Sequence, residues 1–362
     1  MKKLLLAATV ATLAMNAAQA APTLYGKLSV TLDNIDNNGF KDESVTKVNS
    51  NASRIGVKGE EKLTDNLSAV YLAEWEISAD GDGDVFKNRN RFVGIKSNGV
   101  ATLKVGQYDS YFKTAAGNNQ DIFNDHNELD MTKVLVGEDR LTNVIGFETD
   151  KKLLGGLAFN IMFQQGEESE GANSKAKGYE GSRDGFGDGV SASLTYENKD
   201  MGLAAAVAAN RAIASKFNAY SDLTGIYTDA VRVTGSLDLG AMGASGLVLG
   251  ALWQTAQPTD DTVSTGSGTT LVSYKGLQED AFGVTAAYKI GATPVKLKAQ
   301  YISATTESDG RDDRKQDLYG VGADYQINKQ ARFYGIVAQQ KRDWLTKDDK
   351  KTNIGLGMEY NF

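Results

Sequence analysis

From residue 23 to the end of the chain, apolar and polar side chains alternate with a period of two. Ile354, Leu356, Met358, Tyr360 and Phe362 share one parity, while Asn353, Gly355, Gly357, Glu359 and Asn361 share the other. The same split separates Leu24, Leu28, Val30 and Leu32 from Tyr25, Lys27, Ser29 and Thr31. It returns at Ala69, Tyr71, Ala73, Trp75 and Ile77 against Ser68, Glu74 and Glu76, and at Phe282, Val284, Ala286, Tyr288 and Ile290 against Gly283, Thr285 and Lys289. Strict alternation predicts strands with one greasy and one wet face.

Sixteen such runs are predicted, at about 23–32, 53–62, 67–77, 87–97, 101–108, 143–149, 157–165, 189–198, 201–211, 230–239, 245–255, 280–290, 295–305, 316–327, 331–341 and 352–362. An even number returns both termini to one end of the sheet. The connections fall into two sets. Thr64-Asp65-Asn66, Ser97-Asn98-Gly99, Asn198-Lys199-Asp200 and Asn328-Lys329-Gln330 are tight, whereas 33–52, 109–142, 166–188 and 256–279 are long and rich in charge, Gly and Ser. Short turns at one end and long loops at the other mark a barrel that crosses a membrane. In lipid an open sheet edge leaves N–H and C=O groups unpaired at several kcal/mol each, so the sheet must close. The expectation is all-β, a 16-stranded antiparallel transmembrane barrel with its apolar parity on lipid and its polar parity on the lumen. A soluble β-sandwich, the alternative, needs its apolar faces to meet in a core, and no linker divides the chain into sandwich-sized units.

The first residues carry a separate message. Lys2 and Lys3 precede an apolar run from Leu4 to Leu13, and the stretch closes with Ala18-Gln19-Ala20. This predicts a signal peptide over 1–20, cleaved on export, and one barrel domain over 21–362. The run is shorter than the roughly 20 residues of a spanning helix.

Composition narrows the chemistry. With no Cys and one His among 362 residues, thiolate and multi-histidine metal sites, iron–sulfur clusters and disulfides fall away, and no cofactor is expected. The formal charge of -7 argues against a nucleic-acid partner. Asp80-Gly81-Asp82-Gly83-Asp84 has the spacing that opens a calcium loop, but the twelfth position is Arg91 where a bidentate Glu is needed, so a solvated loop is favoured over a metal site. His126 stands alone without a Ser or Cys context and reads as a plain loop residue. Aromatics near strand ends suit two interfacial girdles, with Tyr25, Tyr288, Tyr325, Tyr360 and Phe362 on the turn side and Trp75 and Trp253 on the loop side.

Thr23-Leu24-Tyr25-Gly26-Lys27, the pair Ser53 to Glu60 and Asn90 to Lys96, and Leu103-Lys104-Val105-Gly106-Gln107 together resemble segments of the general diffusion porins of Gram-negative bacteria. The resemblance runs from Ala21 to Phe362. It implies a trimeric outer-membrane channel for passive diffusion of ions and small hydrophilic solutes, with outer-membrane lipid and lipopolysaccharide around it. The terminal Tyr360-Asn361-Phe362 resembles the signal read by barrel-assembly machinery. The resemblance also implies that the long loop after the fifth strand folds inward and constricts the lumen. Arg54, Lys87, Arg89 and Arg140 match the family's basic wall, and Asp121 and Asp125 its acidic loop. Arg91 joins the basic side by spacing, since Lys87, Arg89 and Arg91 at i, i+2 and i+4 share one strand face. This loop has Asn124-Asp125-His126-Asn127 where many relatives carry Pro-Glu-Phe-Gly. From 109 to 140 it holds seven acids against three bases, which predicts a mild cation preference. The rival functions are a substrate-specific channel, which needs a lumen track of aromatics, and a barrel enzyme, which needs a nucleophile beside a His.

Overall fold

The computed structural model describes residues 22–83, 86–123, 125–168, 175–265 and 271–362. The expected signal peptide and Asp84 lie outside them. The strands are β1 (Thr23–Asp36), β2 (Val45–Ser50), β3 (Arg54–Lys62), β4 (Leu67–Glu76), β5 (Lys87–Ser97), β6 (Ala101–Asp109), β7 (Arg140–Thr149), β8 (Leu157–Gln164), β9 (Gly189–Asn198), β10 (Leu203–Lys216), β11 (Thr224–Asp238), β12 (Leu247–Pro258), β13 (Thr262–Thr265), β14 (Val272–Lys275), β15 (Gln278–Lys289), β16 (Val295–Glu307), β17 (Arg314–Gln326), β18 (Ala331–Arg342) and β19 (Lys350–Asn361). The wall strands pair antiparallel in chain order, β12 passing directly to β15, and β1 pairs with β19 from Lys27 opposite Asn361 to Asp36 opposite Thr352. The sheet is therefore closed. β2 and β3 both pair with β1 and are two pieces of one wall strand, interrupted at Asn51–Ser53, where Ala52 has φ 46°. Counted so, the wall has sixteen strands, and β13 with β14 forms a separate hairpin in the loop after β12.

The faces follow the alternation. On β19, Ile354, Leu356, Met358 and Tyr360, with Phe362 just after it, are exposed on the outside, Leu356 by 69%, while Asn353 on the other parity is buried. On β1, Leu24, Leu28 and Leu32 point outward, and Lys27, Ser29, Thr31 and Asp33 are buried inside. Such a continuous apolar exterior cannot face water and marks a lipid-contacting surface. Two expectations shift. Several strands run further toward the loop side than alternation reaches, and part of the expected 33–52 loop is strand. Tyr25, placed above in the turn-side girdle, faces the lumen instead, where its hydroxyl donates to Glu74 at 2.8 Å. It has the parity of Lys27, so the alternation itself assigns it inward.

The packed core lies within the barrel. Ser110 to Asp139 folds into the lumen, its first helical turn (Tyr111–Thr114) capped by the Ser110 hydroxyl, which accepts from the Lys113 N–H at 3.1 Å. Phe123, Leu129, Met131, Val134 and Leu135 of this inner loop pack on inward Leu252, Ile302, Leu318 and Ile336. Phe112 and Val136 join Ala206, Ala208 and Ala230 beneath the loop-side residues Phe217, Tyr220 and Leu223. At about 1.5–3 kcal/mol for each large side chain removed from water, this packing accounts for why the loop lies inward. A methyl group on Gly320 would collide with Leu129, and one on Gly250 with the Asn119 carbonyl, so these glycines let the loop approach the wall.

Candidate functional site

The inner loop leans on one half of the wall and leaves a passage along the other. Its backbone is satisfied by the polar inward parity of the strands it touches. The amide of Gln254 donates to Val136 O at 2.9 Å, Thr234 to Ala115 O at 2.8 Å, Gln300 to Leu129 O at 2.7 Å and Gln340 to Glu128 O at 3.1 Å. Arg232, fully buried, pairs with Glu138, donates to Phe112 O at 3.2 Å and stacks on the Phe112 ring. Burying a charge without its partner is costly, so this pair clamps the end of the loop to β11. Burial pushes the nearby Asp139 carboxyl up to about 6, and Ser215 donates to it.

On the open side, a cavity of about 450 Å³ separates the loop from β3 to β7. Its wall carries Arg54, Glu74, Glu76, Arg89, Asp109 and Arg140, and its loop side Lys113, Asp125, Asp130 and Lys133. Arg89 donates to Glu74 at 2.6 Å and to Glu76 at 3.4 Å; Arg140 sits 3.1 Å from Asp109, which Lys113 approaches to 3.4 Å. The loop reaches the wall again through Asp125, which accepts from Lys27 and Arg54 at 2.7 Å each. Burial would raise its carboxyl, but Lys27, Arg54 and Arg89 outweigh that and hold it down at about 2. Asp125 adopts φ 69°, a left-handed conformation that Asp tolerates better than most residues, and Asn127 beside it donates to Ser50 O at 2.9 Å. The arrangement is a polar neck crossed by paired charges.

The chain matches a family model described as Gram-negative porin over residues 6–344. It belongs to the Gram-negative porin family. Major outer membrane protein P.IB of Neisseria meningitidis serogroup B is 32% identical over 183 residues, covering 49% of this chain and 53% of that protein. The chain thus spans about half the length of this relative. P.IB of Neisseria sicca is 25% identical over 387 aligned positions that cover 100% of both chains. Among solved structures, the anion-selective porin from Comamonas acidovorans superposes with a TM-score of 0.68 at 17% identity, covering 95% of this chain and 100% of that one. That likeness shows the shared fold.

In this porin Arg54, Arg89, Arg140 and Asp125 meet at the neck. Arg91 does not. A bulge opposite Glu74 puts both Arg89 and Asn90 inside, so Arg91 pairs with outward Ala73 and Gln107 and donates to the Gln107 amide oxygen at 2.7 Å on the outer face. Period two fails across an inserted residue, and nothing in the alternation of this polar segment marks the bulge. Lys87 stands opposite Glu76 at the exposed loop-side end of β5 and does not line the cavity. Asp121 is also absent from the neck lining. One of its carboxylate oxygens is buried without a partner, and burial, with Asp130 and Glu138 nearby, pushes its carboxyl well above the ordinary range.

The expected division into a basic wall and an acidic loop gives way to interleaved charge. The wall itself supplies Glu74, Glu76 and Asp109, and the loop supplies Lys113 and Lys133. Glu74 and Glu76 were legible as the polar parity of β4. Of the loop's seven acids, Glu138 and Asp139 are anchored at its base, and Glu128 pairs with Lys351 at 2.5 Å. His126 is buried, its Nδ1 accepting from the Glu128 N–H at 3.2 Å, and burial holds its imidazole down at about 4. Asp80 turns back onto the wall, accepting from the Ser50 N–H at the end of β2 at 2.7 Å and from the Ser78 hydroxyl at 2.5 Å. Among the described residues no group of three metal-ligating side chains forms.

Proposed function

We propose that this porin forms a water-filled channel in the outer membrane through which ions and small hydrophilic solutes diffuse passively. The observation that carries the reading is the neck: a charged passage between inner loop and wall, inside a cylinder whose exterior is apolar. Arg54, Arg89 and Arg140 act as its cationic groups and Asp125 as the loop's acidic one. Opposed charges across a narrow aqueous passage separate cation and anion paths and orient dipolar solutes, and no residue needs to turn over. The selectivity is a mild preference for cations. It rests on the acidic excess of the chain, and the balance of acids and bases at the neck keeps it small.

The active unit is a homotrimer, exported through the periplasm with residues 1–20 removed and 21–362 retained as a single barrel domain. It sits among outer-membrane lipid and lipopolysaccharide. Tyr360 and Phe362 serve as the signal for barrel-assembly machinery. Their outward position on the closing strand supports this, as does the backbone pairing of Phe362 with Gly26 at 2.9 and 3.0 Å.

Planar-bilayer recording of purified protein tests the reading. Conductance steps in groups of three are expected, with a reversal potential slightly on the cation side in a salt gradient. Absence of steps would overturn the channel, and clear anion preference the selectivity. A substrate-specific channel is disfavoured because Tyr111 and Phe112 of the inner loop are buried against the wall, and no aromatic lines the neck among the described residues. Liposome swelling with uncharged sugars of graded size that follows size alone is the expected outcome.

A further inference from the structure

At the loop-side mouth, above the neck, two arginines share one tryptophan. Arg314 opens β17 and Arg342 closes β18. Arg314 has the inward parity of Gln316 and Leu318, the latter packed on the inner loop, and Arg342 that of Gln340, which bonds Glu128. Arg342 lies opposite Gln316 in register, so the two arginines are diagonal neighbours on the lumen face. The Trp344 ring lies 5.5 Å from the guanidinium carbon of Arg314 and 5.6 Å from that of Arg342. Arg314 also stacks on Tyr220 at 4.0 Å, and Arg342 on Phe40 at 4.2 Å.

Neither charge has a contact partner; Asp222, which already accepts from Thr265 and Tyr274, acts on Arg314 from beyond ion-pair distance. Among the described residues no carboxylate lies within ion-pair distance of either guanidinium, whereas neighbouring Lys351 is committed to Glu128. Asp343, next in sequence to Arg342, turns away to accept the Lys315 N–H at 2.7 Å. Arg314 spends one donor on Ala219 O at 2.8 Å, and Arg342 makes no side-chain hydrogen bond among the described residues. Two like charges held half-buried and close together repel, and each stacked guanidinium keeps an edge of N–H donors free. A planar fork with a free edge is the geometry that takes an oxyanion bidentately. Lipid headgroups cannot reach this inner face.

We propose that Arg314 and Arg342, oriented by Trp344, Tyr220 and Phe40, form a capture site for small solutes bearing carboxylate or phosphate groups at the mouth of the pore. This rests on the channel reading above. The site enriches such anions before they meet the neck, so their passage saturates while that of chloride does not.

Succinate and inorganic phosphate, each added to one side of a bilayer holding the full chain in constant potassium chloride, test it through current interruptions. Interruptions are expected from the loop side, with half-saturation raised at least tenfold in Arg342→Gln and only partly in Arg314→Lys, which keeps charge but loses the fork. Lys315→Gln removes one charge from the outer face of the same strand and should move half-saturation less than twofold. A normally conducting channel with no interruptions, or one that Lys315→Gln affects as much as Arg342→Gln, overturns the capture site alone. A preparation that conducts nothing counts against the channel itself. Calorimetric titration of the detergent-solubilised protein with succinate then still decides the site, since heat of binding lost in Arg342→Gln supports it and absence of heat from the unaltered protein refutes it.

Discussion

The two halves of the lumen wall use the same alternation to opposite ends. On β10 to β12 and β15 to β18, inward positions mix small or branched apolar groups such as Ala208, Leu252, Ile302 and Ile336 with amides and hydroxyls that meet the inner loop's carbonyls. On β1 and β3 to β6, the inward positions include Lys27, Arg54, Glu74, Arg89 and Asp109, charged groups that pair with one another and with Asp125 and Arg140 around the passage. The loop lies where it can bury carbon and satisfy its backbone, and the neck is the space that remains. A pore of this kind is shaped as much by its dry side as by its wet one.

The largest effect is expected from the dry side. Replacing Arg232 with Ala leaves Glu138 buried without its partner, at about 3–5 kcal/mol. The loop should leave the wall, giving larger and noisier conductance steps in bilayers and a lower melting temperature. Unchanged steps would mean that this half does not hold the loop.

On the wet side, Arg89→Gln should move the reversal potential toward cations, because it removes a neck charge that faces Glu74 and Asp125. Arg91→Gln, on the outer face, should leave it in place. Equal shifts from the two would reverse the parity assigned across the bulge.

The smallest effect is titration of the seam between the halves, where His126 faces Asp33, Glu128, Lys298 and Arg332. Burial lowers its proton affinity, so a released loop binds a proton that the docked loop does not. Docking is therefore strongest above about pH 6.5 and weakens as pH falls, the full loss being reached below about 4. Asp139, raised to about 6, acts with the opposite sign, and Asp125 stays charged throughout this range. Step-size noise recorded from pH 7 to 4 should increase in the natural protein and not in His126→Ala. An increase of the same size in that variant would assign the effect elsewhere.

Much of this was legible along the chain. Period-two alternation places all sixteen wall strands and says which side of Tyr360 and Phe362 meets lipid, because a strand has only two faces and a membrane accepts only one kind. The same alternation reaches Arg54 and Arg89 on the wall, and also Glu74 and Glu76. Arg91 was not legible, since one bulge residue reverses parity without any change in composition. Nor could the count of acids in the loop say which of them meet the passage. Asp125 lies against Lys27 and Arg54 while Glu138 lies against Arg232, and those partners stand far away in sequence. The amino-acid order by itself determined the cylinder and its oily exterior, because both depend on neighbours along a strand. Only the tertiary structure decided which half of the lumen is filled and which charges remain in water, because that depends on side chains brought together from strands far apart in the chain.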